Sequence, residues 1–161
     1  MFKPPGLGPI RRPLLGLLLT LALPASADGA SNTTITFAGV GTAGSIGDGG
    51  LAGAAAINFP YGMAWLADGS MVVAETNGNR VRRIAADGTI SRVAGTGTAT
   101  STGDNGLAVD ATLGRPRGIA VAPDGETIYF AEYSNHRIRR VDSAGIITTV
   151  AGTTSGYSGD G

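Results

Sequence analysis

One block of sequence recurs along this chain and limits what it can fold into. Ala38-Gly39 returns as Ala94-Gly95 and again as Ala151-Gly152. Gly47-Asp48-Gly49-Gly50-Leu51-Ala52 returns as Gly103-Asp104-Asn105-Gly106-Leu107-Ala108, and Gly159-Asp160-Gly161 opens a third occurrence. Pro60-Tyr61-Gly62 matches Pro116-Arg117-Gly118, Ala74-Glu75 matches Ala131-Glu132, and Arg80-Val81-Arg82-Arg83-Ile84 matches Arg137-Ile138-Arg139-Arg140-Val141. The period is about 56 residues, in the range of solenoids and propellers, whose units bury their apolar faces only against one another. The 27 glycines among 161 residues follow no three-residue period, which excludes a collagen, and an apolar fraction of 42% suffices for a core.

Within each copy, four short strands are separated by turn chemistry. The first is expected over residues 61–66 and 117–122, closed by Asp68-Gly69 and by Pro123-Asp124-Gly125, a strong hairpin signal. The second, 71–75 and 128–132, carries the strand formers Val72, Val73, Tyr129 and Phe130. A third runs through the arginine-rich stretch, and a fourth covers 89–94 and 146–151 after Gly88 and Gly145. Four antiparallel strands per unit make one propeller blade, so the expected fold class is all-β, with two complete blades. The glycine-rich connector between copies, 95–115 in the second, has little strand propensity. Residues 52–56 and 107–111 are expected to form single helical turns, with Asp48 or Asp104 capping free amides.

The first 27 residues have a different character. Lys3, Arg11 and Arg12 precede the leucine-rich run 14–23, which is too short to span a bilayer comfortably, and Ala25-Ser26-Ala27 follows Pro24. That is a cleavable secretory leader, cut after Ala27, and it places the mature chain in the periplasm or outside the cell with no stable membrane anchor. Arg11-Arg12-Pro13 also resembles a twin-arginine export signal, although two arginines equally make an ordinary positive leader. Beyond residue 27, nine arginines face twelve carboxylates, a net charge of −3 that argues against nucleic-acid or anionic-membrane partners. The chain has no cysteine, so an exported form has no disulfides and depends on packing.

The string Ile147-Thr148-Thr149-Val150-Ala151-Gly152, the Gly-Asp-Gly-Gly connector, Pro116-Arg117-Gly118-Ile119-Ala120-Val121 and Ala131-Glu132 followed by Asn135-His136-Arg137-Ile138-Arg139-Arg140-Val141 resembles the NHL-repeat family of β-propellers. The resemblance covers residues 35–161. Glu75 and Glu132 stand where the family more often has aspartate, and Gly78 stands where Asn135 stands in the next copy. The resemblance implies a ring of blades, often six, around a central channel. Within it, residues 28–34 are a short linker, 35–39 a closing outer strand, 40–95 blade one, 96–152 blade two and 153–161 the start of a third repeat. Propellers close with about four to eight blades, so the chain is expected to be a C-terminally truncated portion of a ring.

Candidate chemistry is sparse. Glu75 and Glu132 precede Arg80 and Arg137 across a hairpin turn, so a cross-strand ion pair stapling that turn is expected. His136 stands where the first copy has Asn79, which makes it a turn-side polar residue rather than a base or metal ligand. Asp48, Asp104 and Asp160 lack the alternating oxygen donors of a calcium loop and suit turns that hold the connector. Tyr61, Trp65 and Arg117 lie on first strands, near the channel in the arrangement the resemblance implies. They are the candidates for facing a ligand, although such an aromatic more often serves blade-to-blade packing. No serine–histidine–carboxylate set, cysteine nucleophile or paired-histidine motif is present, and no cofactor or metal is implied.

These observations lead to an exported binding or scaffold module for a protein, peptide or carbohydrate ligand. The alternative is part of an enzyme, since some propellers this chain resembles are metal-dependent lyases or lactonases, whose catalytic residues would lie in other blades. Met71, Val73, Ile128 and Phe130 are expected to stay partly exposed where a blade lacks a neighbour, which favours aggregation or head-to-tail self-association.

Overall fold

A computed structural model describes residues 34–153. The proposed leader and linker, Asp160 and most of the third repeat lie outside the described residues. Two four-stranded antiparallel sheets form, each in sequence order. The first contains β1 (Pro60–Trp65), β2 (Met71–Glu75), β3 (Arg80–Ile84) and β4 (Ile90–Ala94). The second contains β5 (Pro116–Val121), β6 (Ile128–Glu132), β7 (Arg137–Val141) and β8 (Ile147–Ala151). Both second strands match their expected bounds, and the first and fourth strands shift by one residue at their ends.

Each first strand begins on a proline, whose missing N–H suits a strand start, and its pairing shifts register between Pro60 and Met63 or between Pro116 and Ile119. Gly62 and Gly118 sit inside those irregularities. At Gly62 a side chain would collide with the Arg117 carbonyl, so glycine permits β1 and β5 to approach each other closely. Hydrogen bonds tie the blades at both ends of the strands. Ala67 N–H donates to the Gly125 carbonyl at 3.0 Å at one end. At the other, Thr76 Oγ1 donates to the Pro116 carbonyl at 2.9 Å and Arg115 N–H donates to Asn79 Oδ1 at 3.1 Å.

The main core lies between the blades. Val72, Val81 and Ala94 of the first sheet meet Ile128, Phe130, Val141 and Ile147 of the second, with Ala108, Ala111 and Leu113 of the connector among them. Burying one such side chain contributes about 1.5–3 kcal/mol, so this interface holds the two repeats together. A smaller cluster of Ala52, Ala55, Ile84 and Ile90 covers the opposite face of blade one, with Ala38 against it.

Two expectations need correction. Met71 (8% exposed), Val73 (4%), Ile128 (5%) and Phe130 (1%) are buried, not left open. They share the sheet face of Ile84 or Val141, onto which the preceding connector folds; that connector is part of the core rather than a loop outside it. Residues 35–39, expected as a closing outer strand lacking its partners, pair with no strand among the described residues. A strand requires a laterally hydrogen-bonded neighbour, and among the described residues none precedes it. The segment is held instead by Gly39 N–H to the Ala52 carbonyl at 2.9 Å and Val40 N–H to the Ala55 carbonyl at 3.1 Å. The same two bonds run from Gly95 and Thr96 to Ala108 and Ala111 in the next copy. The helical turns shrink to 3-10 turns over Ala52–Ala54 and Ala108–Asp110, and neither has a side-chain cap.

Candidate functional site

The repeated charged residues build rivets inside the blades. Arg82, fully buried, donates through Nη1 to Glu75 Oε1 at 3.1 Å and the Ala56 carbonyl at 3.0 Å, and through Nε to Asp48 Oδ1 at 2.9 Å. Arg139, equally buried, donates through Nη1 to Glu132 Oε1 at 3.0 Å and through Nη2 to Asp104 Oδ1 at 3.0 Å. Asp104 Oδ2 also accepts from Thr149 Oγ1 at 2.7 Å. One guanidinium thus joins β2, β3 and the connector in blade one, and β6, β7 and the connector in blade two.

This corrects two sequence expectations. The partner of Glu75 is Arg82 rather than Arg80, and that of Glu132 is Arg139 rather than Arg137. Glu75 and Arg80 are register partners, but a long arginine side chain reaches the diagonal neighbour on the same face. Arg80 instead donates to the Ser45 and Thr96 carbonyls, both at 3.0 Å, and Arg137 donates to Ser101. Asp48 and Asp104 hold their connectors through arginine and not by capping amides. Asn79 and His136 both take left-handed backbone at φ 50° and 54°, a turn geometry that suits their polar side chains.

Antiparallel pairing sorts the turns to opposite ends of the blades. The turns after β1, β3, β5 and β7 carry Asp68, Asp87, Asp124, Glu126 and Asp142. Asp68, Asp87 and Asp124 each accept hydrogen bonds from the following turn; for Asp124 the donors are Thr127 Oγ1 at 2.6 Å and the Glu126 and Thr127 amides, both at 2.9 Å. These bonds hold all three carboxyls below their ordinary value of 3.8, led at Asp124 by the Thr127 hydroxyl. Glu132 moves the other way, raised from 4.5 chiefly by burial against the opposing pull of Ser101 and Arg139.

A carboxyl depressed in the folded state stabilises the fold above its unfolded value and loses that contribution as pH falls through the folded value. A raised carboxyl such as Glu132 favours folding below 4.5 and loses that contribution as pH rises through its folded value. Asp124→Asn is therefore expected to lower the melting temperature near about pH 6, with the difference from the parent closing as pH falls below 3.8. A difference that stays constant with pH would contradict the role given to the turn carboxylates.

A cavity of about 380 Å³ opens between the blades near this acidic end, beside Leu66, Asp68, Arg83, Glu126 and Asp142. Its main cation is already committed, because Arg83 is bound by the Asp68 carboxylate and the Ser70 hydroxyl.

The opposite end is different. It comprises Phe59 and Arg115 at the connector exits, the start of β1 and β5, and the turns 76–79 and 133–136. No exposed carboxylate lies in these turns. Two sequence candidates meet there: the Arg117 guanidinium stands 5.3 Å from the centre of the Tyr61 ring. Tyr133, not anticipated from sequence, lies closer, with its ring centre 3.5 Å from the guanidinium. Tyr61 and Tyr133 are 61% and 55% exposed. Arg117 Nε is buried without a hydrogen-bond partner, and among the described residues Arg117 makes no ion pair. Trp65, the third candidate, points elsewhere and packs edge-on against Phe37 at 6.3 Å. The available signal for Tyr133 was repeat divergence. It occupies the position of Thr76, just as Arg117 occupies that of Tyr61, so neither residue is required to build a blade.

Two stacked four-stranded antiparallel sheets joined through their faces are blades of a β-propeller. A family model described as the teneurin NHL domain matches residues 97–160. Teneurin-3 of Danio rerio is 37% identical over 105 residues, 56% of this chain and 4% of that protein. Teneurin-1 of Mus musculus is 36% identical over 86 residues, 45% of this chain and 3% of that protein. A structural genomics protein of unknown function from Bacteroides thetaiotaomicron matches with a TM-score of 0.53 and 26% identity, over 62% of this chain and 25% of that one. The chain thus spans only a small part of the relatives it matches. These matches support an NHL-repeat family of β-propellers for this chain.

Proposed function

We propose that this chain is an exported binding module whose ligand is taken at the end of the blades carrying Tyr61, Arg117 and Tyr133. The observation that carries this reading is an arginine with no carboxylate partner among the described residues, held between two exposed tyrosine rings, Tyr61 on β1 and Tyr133 in the turn after β6. Aromatic rings that remain open to solvent beside a free cation suit recognition better than packing. The compartment rests on the leader pattern in residues 1–27, with release outside the cytoplasm after cleavage at Ala27.

The test is an amide NMR titration of the mature chain with neutral oligosaccharides, acidic oligosaccharides and unstructured peptides. At least one class is expected to shift the amides of residues 59–62, 115–118 and 133–136 and to be recovered unchanged. Shifts confined to the acidic end, no response to any class, or conversion of a probe to product would each overturn the proposal.

A further inference from the structure

Resting on that binding reading, we infer that the Tyr61–Arg117–Tyr133 group is a subsite for the carboxylate of an acidic sugar of the uronate type. The cation sets the ligand's charge. Arg117 makes no ion pair among the described residues, whereas Arg82, Arg83, Arg139 and Arg140 all do. The Arg117 guanidinium lies over the Tyr133 ring at 3.5 Å from its centre, a cation–π contact that restrains its position, and its N–H fork can meet a planar carboxylate through parallel bonds. Restraining the side chain in advance also reduces the entropy lost on binding.

The rings set the rest of the ligand. Tyr61 and Phe59 are both 61% exposed at the same end, and their faces suit the C–H face of a pyranose. The acidic turns lie at the far end of the strands, so an approaching anion meets no repulsion from exposed turn carboxylates here. A nucleic-acid strand fits less well, because tracking a phosphate backbone needs several free cations. Arg80 and Arg137, the other arginines starting from this end, already donate to Ser45, Thr96 and Ser101. Arg115 and Arg117 remain, which is enough for one carboxylate subsite and its flank.

The experiment is calorimetric titration of the mature chain with trigalacturonate, cellotriose and a short single-stranded RNA, repeated on Arg117→Met, Arg117→Lys and the control Arg92→Met. Trigalacturonate is expected to bind at least about tenfold more tightly than cellotriose. Arg117→Met should remove that preference, Arg117→Lys should keep part of it, and Arg92→Met should leave it unchanged. Equal binding of the two sugars would overturn the carboxylate subsite while leaving a binding module. RNA binding with steep salt dependence, lost in Arg117→Met, would overturn it in favour of a polyanion site. Absence of binding to either sugar would also overturn it, and the peptide arm of the NMR titration then decides separately whether this end binds anything. Circular dichroism of each variant confirms that the blades are intact.

Discussion

Arg139→Ala is expected to destabilise the paired blades by about 3–5 kcal/mol, the range for removing one partner of a buried ion pair. The side chains of Arg139 and Glu132 are both fully buried, and Arg139 also contacts Asp104 and the Thr102 carbonyl. Without the guanidinium, Glu132 loses its ion-pair partner, and burial already holds its carboxyl above the ordinary value. The connector also loses its tie to β7, which opens the floor of the inter-blade core. Arg83→Ala provides the comparison. Arg83 pairs with Asp68 where both side chains are substantially exposed, so its loss should cost no more than about 1 kcal/mol. Arg139→Met combined with Glu132→Gln should recover part of the deficit, since it leaves no unmatched charge in the buried pair and only the partly exposed Asp104 loses its partner. Urea unfolding of the three variants measures this. An Arg139→Ala midpoint no lower than that of Arg83→Ala would show that the rivet contributes little.

The period, the strand positions and the hairpin turns were legible because each rests on local chemistry. Val72-Val73 and Tyr129-Phe130 favour strands wherever they stand, and Asp68-Gly69 turns the chain without help from distant residues. The partner of Glu75 was not legible in the same way. Alternation places Arg80, Arg82 and Ile84 on one face, but choosing between the two arginines depends on where Asp48 and Ala56 arrive from the connector. The burial of Met71 and Val73 was missed for the same reason, because it depends on a glycine-rich segment folding back over the sheet. Residues 35–39 have the composition of a strand, yet a strand is a pairing rather than a property of five residues. At the candidate site, Tyr61 and Arg117 were visible as a divergent repeat position, and the divergence of Tyr133 from Thr76 carried the same signal.

A polypeptide of residues 28–161 is expected to self-associate, with an apparent mass that rises with concentration. The basis is a comparison of repeat-equivalent positions. On blade one, Val81, Ala94 and their partly buried neighbour Val93 lie within the core shared with blade two. The corresponding residues of blade two are Ile138, Ala151 and Val150, and Ile138 and Val150 are 38% and 48% exposed. That face matches in character the one that already accepts Leu113, Ile128 and Phe130. At the other side of the pair, Phe37, Met63 and Trp65 are 53%, 61% and 62% exposed. One chain therefore presents both halves of the inter-blade contact, one on each side. Such a heterologous pair either propagates into aggregates or closes into a ring, and three copies would supply the six blades common in this architecture. Replacing Ile138 and Val150 together with aspartate introduces charge on one half only, while Phe130, Leu113 and the existing interface are untouched. In sedimentation the double variant should run at the mass of one chain, and the parent at a mass at least about twofold higher. A parent that is monomeric at all concentrations and unfolds cooperatively would show that two blades suffice, and the exposed faces would then need no partner.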